Sequence, residues 1–125
     1  MELVRRFFAA VGREDVPAAL SYLDPQLEWI PHRAATEGSY IGHQGFERFV
    51  ADTNATFDKF EPRLEFRDLG DEVLAWGTIA TSAKSSGIEL EFPAGGLFGL
   101  RGGKIIRWQD FGSKDEALRA AAAQD

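Results

Sequence analysis

The chain contains no cysteine. That excludes a disulfide framework, thiolate zinc sites and thiol catalysis, and it suits a reducing compartment, so a cytoplasmic location is the expectation. Long apolar runs are also missing: nothing approaches the roughly 18 residues of a membrane-spanning helix. The opening "MELVRRFFAAVGRED" returns to charge before a signal-peptide core can form. Positive charge is scarce, with 14 Lys and Arg against 20 Asp and Glu for a net charge of −6, and the cations form no cluster. A phosphate backbone or an anionic bilayer is therefore a poor partner, and a small molecule a better one. The only histidines, His32 and His43, have neither a nearby cysteine nor a regular ligand spacing, so no metal site is expected.

What is present is enough for one core. At 125 residues and 44% hydrophobic composition, the chain reads as a single domain over 1–125. Folding at this length removes roughly two-thirds of the unfolded surface from water, which makes staples unnecessary. Leu3, Val4, Phe7, Phe8 and Val11 recur at three- and four-residue steps and form the stripe of an amphipathic helix ended by Gly12. Asp15 and Pro17 announce a second, short helix, stopped by Asp24-Pro25. "QLEWI" (26–30) alternates as a strand, residues 31–44 have loop composition, and Phe46, Phe49, Val50, Thr53 and Phe57 repeat the helical spacing from Gly45 onward.

After Pro62 the period changes to two. Strands are expected over 63–69, 72–83, 88–100 and 104–111, separated by Gly70-Asp71, "KSSG" (84–87) and "RGG" (101–103). Pro93 and Gly95-Gly96 signal a bulge or bend in the third of these, so the meander should curl. Ser113-Lys114-Asp115-Glu116 is a capping box heading a last helix. The fold class expected is α+β: a cone-shaped, strongly curved antiparallel sheet of about four to six strands, covered by three helices from the N-terminal half, with a short C-terminal helix.

This order resembles the nuclear transport factor 2-like superfamily and, within it, the SnoaL-like proteins, whose relatives include ketosteroid isomerases, limonene epoxide hydrolases and polyketide cyclases. The resemblance rests on residues 3–29, "YIGHQGFERFV" (40–50), residues 86–105 and "RWQDF" (107–111). It implies a cone with an apolar pocket, and a homodimer. The catalytic positions transfer unevenly. Those of the ketosteroid isomerases fall on Phe7, Gly96 and Pro31, none of which can act. The aspartate of the tryptophan-x-aspartate strand in the limonene epoxide hydrolases falls on Asp110, whereas their arginine and second aspartate fall on Gly77 and Ile79, and their water-positioning pair near Glu28 and Ile30.

Asp110 is thus the candidate base and His32, at the rim of the first strand, its candidate acid partner. Asp110 shares a strand face with Trp108, with Ile106 below, but the same residue can serve only to end the strand. Trp29, Tyr40, Trp76, Phe98 and Trp108 are the candidate ligand-binding residues; each can equally be core, because periodicity does not say which face points inward. Two functions follow. One is binding of a small apolar molecule with cofactor-free hydrolysis, isomerisation or cyclisation. The other is a non-catalytic ligand-binding or dimerisation module with a decayed site.

Overall fold

The computed structural model describes residues 1–30 and 40–123. Helix α1 (Glu2–Gly12) buries Val4, Phe7 and Ala10, and α2 (Val16–Ser21) is capped by the Asp15 carboxylate, which accepts from the Ala18 amide at 3.2 Å. Strand β1 (Leu23–Ile30) begins earlier than its alternation suggests. Its register against the last strand jumps between Leu23 and Glu28, so Asp24-Pro25 lies in an irregularity within the strand rather than before it. The Asp24 side chain closes that irregularity by accepting from the Gln26 amide at 2.8 Å. A two-residue strand β2 (Tyr40–Ile41) leads into α3 (Gly42–Thr56), three residues ahead of the expected start at Gly45.

Four long strands follow: β3 (Phe57–Asp68), β4 (Glu72–Ala83), β5 (Glu89–Arg101) and β6 (Lys104–Asp110). Phe57, expected to close the third helix, instead opens β3. Pairing to β4 carries the strand straight through Pro62, and on this edge strand the missing amide costs no ladder bond on the open side. The capping serine is as expected, with the Glu116 amide donating to Ser113 Oγ at 3.2 Å at the head of α4 (Lys114–Ala123).

All six strands form one curved, unclosed sheet in the order β2-β1-β6-β5-β4-β3. The expected meander is antiparallel throughout, but β1 joins it parallel to β6, with Trp29 opposite Trp108. Alternation along β4 and β5 then sorts side chains to two faces. Val73, Ala75 and Phe98 face the helices α1, α2 and α3 and belong to the main core with Phe7, Leu23, Leu27 and Phe46. Leu74 and Leu97 point the other way and pack on Ala117 of α4. The outer face is therefore partly covered, which the sequence reading did not foresee.

Pairing of β5 with β4 runs unbroken through Pro93, Gly95 and Gly96. The register shift falls later, between Gly99 and Leu100 opposite β6. That shift places Ile105, not Ile106, in the core beside Trp108. Gly96 is needed for close approach instead: a Cβ there would overlap the carbonyl oxygen of Gln109 on β6. Gly96→Ala should accordingly cost about 1–3 kcal/mol, a typical overpacking penalty. Thermal denaturation should show a loss of roughly 3–6 °C per kcal/mol at this length. Gly12→Ala, with no atom within 4 Å of the added carbon, should leave the melting temperature unchanged or slightly higher.

Candidate functional site

The site grows from one row of the sheet. Tyr40, Trp29, Trp108 and Phe98 are consecutive register partners across β2, β1, β6 and β5, so their side chains stand on the same, helix-covered face. Their rings form a ladder. Trp29 and Trp108 are stacked with centroids 4.0 Å apart and planes 8° from parallel, Tyr40 lies 4.9 Å from Trp29, and Phe98 lies 5.0 Å from Trp108. Such pairs contribute about 0.5–1.5 kcal/mol each beyond their buried area.

Stacking two indoles creates a polar problem, because each buried N–H needs an acceptor. Asp110, two residues beyond Trp108 on the same strand face, supplies both. Trp108 Nε1 donates to Oδ1 at 2.8 Å and Trp29 Nε1 to Oδ2 at 2.9 Å. An ionised carboxylate accepts at both oxygens, so one side chain satisfies two donors from different strands. Room for it comes from Gly96, its register partner on β5.

Beyond the aromatic row the sheet carries small residues. Gly96 pairs with Ala75, and in the next row Ala94 pairs with Gly77. Helices α1 and α3 bridge over this shallow region with Phe8, Phe46 and Phe49, and a cavity of about 500 Å3 is left beneath them. Its size falls within the range of about 300–1,000 Å3 usual for small-molecule sites. Trp29, Phe98, Trp108 and Asp110 line it, and Asp110 is the one ionisable side chain among the described lining residues.

The remaining candidates fare differently. Tyr40 does not line the cavity; it packs on the far side of Trp29 and carries the Arg48 guanidinium 4.6 Å from its ring centre. Trp76 is not a cavity residue either. It pairs with Glu65 and Gly95 on the outer face that Leu74 and Leu97 share, because the inward positions of β4 are the odd-numbered Val73 and Ala75. His32 lies outside the described residues, as does Pro31. His43 bonds the Leu23 carbonyl oxygen at 2.8 Å, a structural tie between α3 and β1. Among the described residues no group of three or more His, Asp or Glu could hold a metal ion, and no helix is long and apolar enough to cross a membrane.

The positions inherited from the resemblance separate in the same way. Phe7 is fully buried, with its ring 5.5 Å from Trp108. Ile79 lines the cavity as an apolar wall, whereas Glu28 and Ile30 flank Trp29 on the opposite face of β1. Phe46 and Phe49 were visible in sequence only as a helical stripe. Phe92, which the sequence offers only as added aromatic bulk for an apolar binding surface, lines the cavity, as do Phe60 and Leu64, which gave no signal of their own.

Residues 4–108 match the model of the SnoaL-like domain. The chain belongs to that family. No curated protein matches it. Among solved structures, an NTF2-like protein of unknown function from Burkholderia pseudomallei superposes with a TM-score of 0.79 at 21% identity, covering 95% of this chain and 94% of that one. A protein of ketosteroid isomerase-like fold from Catenulispora acidiphila, in complex with trimethylamine, gives 0.77 at 20% identity, with 97% and 92% covered. A putative polyketide cyclase from Pseudomonas putida gives 0.75 at 21%, with 94% of each covered. These likenesses establish the NTF2-like fold of this SnoaL-like domain.

The two hydrogen bonds to Asp110 generate a stability test. Asp110→Asn keeps the shape but offers one acceptor to two donors and turns an NH2 group toward the other indole, so about 1–3 kcal/mol should be lost. Trp29→Phe removes one of the donors. Adding it to Asp110→Asn should therefore cost less than adding it to the wild type, and a double-mutant cycle by denaturant unfolding should give a coupling of about 1–2 kcal/mol.

Proposed function

We propose that this SnoaL-like domain binds a small apolar molecule in the cavity and that Asp110 acts there as the base of a cofactor-independent proton transfer, in a cyclisation, isomerisation or hydrolysis. The observation that carries this reading is the position of Asp110: a carboxylate at the wall of an apolar cavity, oriented through both oxygens by Trp29 and Trp108. A base fixed in this way presents its carboxylate to the cavity in one orientation, so little reorganisation is needed when a substrate proton approaches. The apolar surroundings strengthen its interaction with charge developing on a bound substrate. The description of the Pseudomonas putida neighbour as a putative polyketide cyclase is compatible with this chemistry.

A second reading has its own support. The described cavity wall offers no second ionisable side chain to protonate a leaving oxygen, and Gly96, Gly77 and Ile79 stand where relatives place functional groups. Under that reading the cavity binds a ligand and leaves it unchanged.

Binding and chemistry are separable by experiment. A thermal-shift panel of epoxides, enones, aromatic polyketide fragments and fatty acids should contain a hit. At about a hundred times its Kd, a ligand adds roughly 2.7 kcal/mol, a melting shift of several degrees. Ala94→Phe, which fills the cavity from β5, should abolish the shift. A hit that is bound but never consumed would favour the binding module. For a consumed hit, Asp110→Asn should lose turnover.

A further inference from the structure

A second, smaller cavity of about 80 Å3 lies between α1, α2 and α3, and it shares Val11, Phe46, Phe49 and Phe60 with the main cavity as common walls. Its own lining is Val16, Ala19, Val50 and Thr53, while Glu14, Asp15 and Asn54 also border it and are exposed. The partition is uneven. Phe46 is 2% exposed and packs on Phe7, and Phe49 is 4.5 Å from Trp29. Phe60, half-buried on the edge strand β3, has ring contacts only with Phe49 and Phe57 among the described residues. It is the wall residue with least to lose by turning aside.

Size decides what the side cavity can take. An apolar cavity of roughly 150 Å3 accommodates a benzene ring, so about 80 Å3 is too little to enclose a ring but admits a chain of a few carbons. The carboxylates of Glu14 and Asp15 at its border disfavour an anionic end on that chain. Building on the reading of the main cavity as a ligand site, we propose that the side cavity is a subsite for a short, unbranched, non-anionic alkyl arm, reached past Phe60. The ligand class is then a ring-bearing molecule with a short alkyl tail, the ring beside Trp108 and Asp110 and the tail between α2 and α3.

The test uses phenol and its 4-alkyl series from ethyl to pentyl, titrated into the full chain by calorimetry. In the wild type each methylene that enters the side cavity should tighten binding about fourfold. Val50→Phe fills the side cavity from a position that does not line the main one. It should leave phenol binding unchanged and flatten the dependence on chain length. Thr53→Met, from the next turn of α3, provides the same blockade should Val50→Phe fail to fold. Phenol binding with no gain along the wild-type series, or with the same gain in the blocked variants, would overturn the subsite while leaving the main cavity as a ligand site. If neither phenol nor any alkylphenol binds the wild type, the reading of the main cavity fails, and the subsite fails with it.

Discussion

Two stacked indoles share one carboxylate, and the rest of the site is arranged around that contact. Trp29 and Trp108 come from the two ends of the chain and meet because β1 pairs parallel to β6. Their stacking would leave two buried donors unpaired without Asp110, a cost of about 1–3 kcal/mol for each. The carboxylate thus solves a folding problem. In doing so it is held through both oxygens at a cavity wall, the placement on which its proposed role as a base rests. This is also why an aspartate stands in a strand that otherwise reads as core.

The cavity is a consequence of side-chain size along the sheet. The row from Tyr40 to Phe98 is filled by aromatic rings, and the rows beyond it hold Gly96, Ala75, Ala94 and Gly77, which leave depth between sheet and helices. Helix α3 spans the gap with phenylalanines rather than filling it. A sheet of uniformly large inward residues would have packed as a solid core.

Much of the fold was legible because its signals are local. Period-two alternation marked β4 to within its observed ends, and Asp15 and Ser113 marked helix starts through capping chemistry. Boundaries slipped where pairing overrode local preference: Asp24-Pro25 inside β1, Gly42 at the head of α3, and Phe57 at the head of β3. Half of the site was legible too, since an i,i+2 spacing puts Trp108 and Asp110 on one face. The other half was not. Nothing near Trp29 announces a partner in β6, and alternation alone could not tell that Trp29 faces inward while Trp76 faces α4's side of the sheet. The shift of Ile106 out of the core in favour of Ile105 arises from a register change visible only in the paired strands.

The most direct test of the Trp29–Asp110–Trp108 contact is an NMR measurement of the three indole N–H groups in wild type and Asp110→Asn. The account requires the Trp29 and Trp108 signals to exchange slowly with solvent in the wild type. Both should shift in the variant, while Trp76, on the other face of the sheet, stays in place. Rapid exchange of the Trp29 and Trp108 protons in the wild type, or signals indifferent to Asp110→Asn, would contradict it.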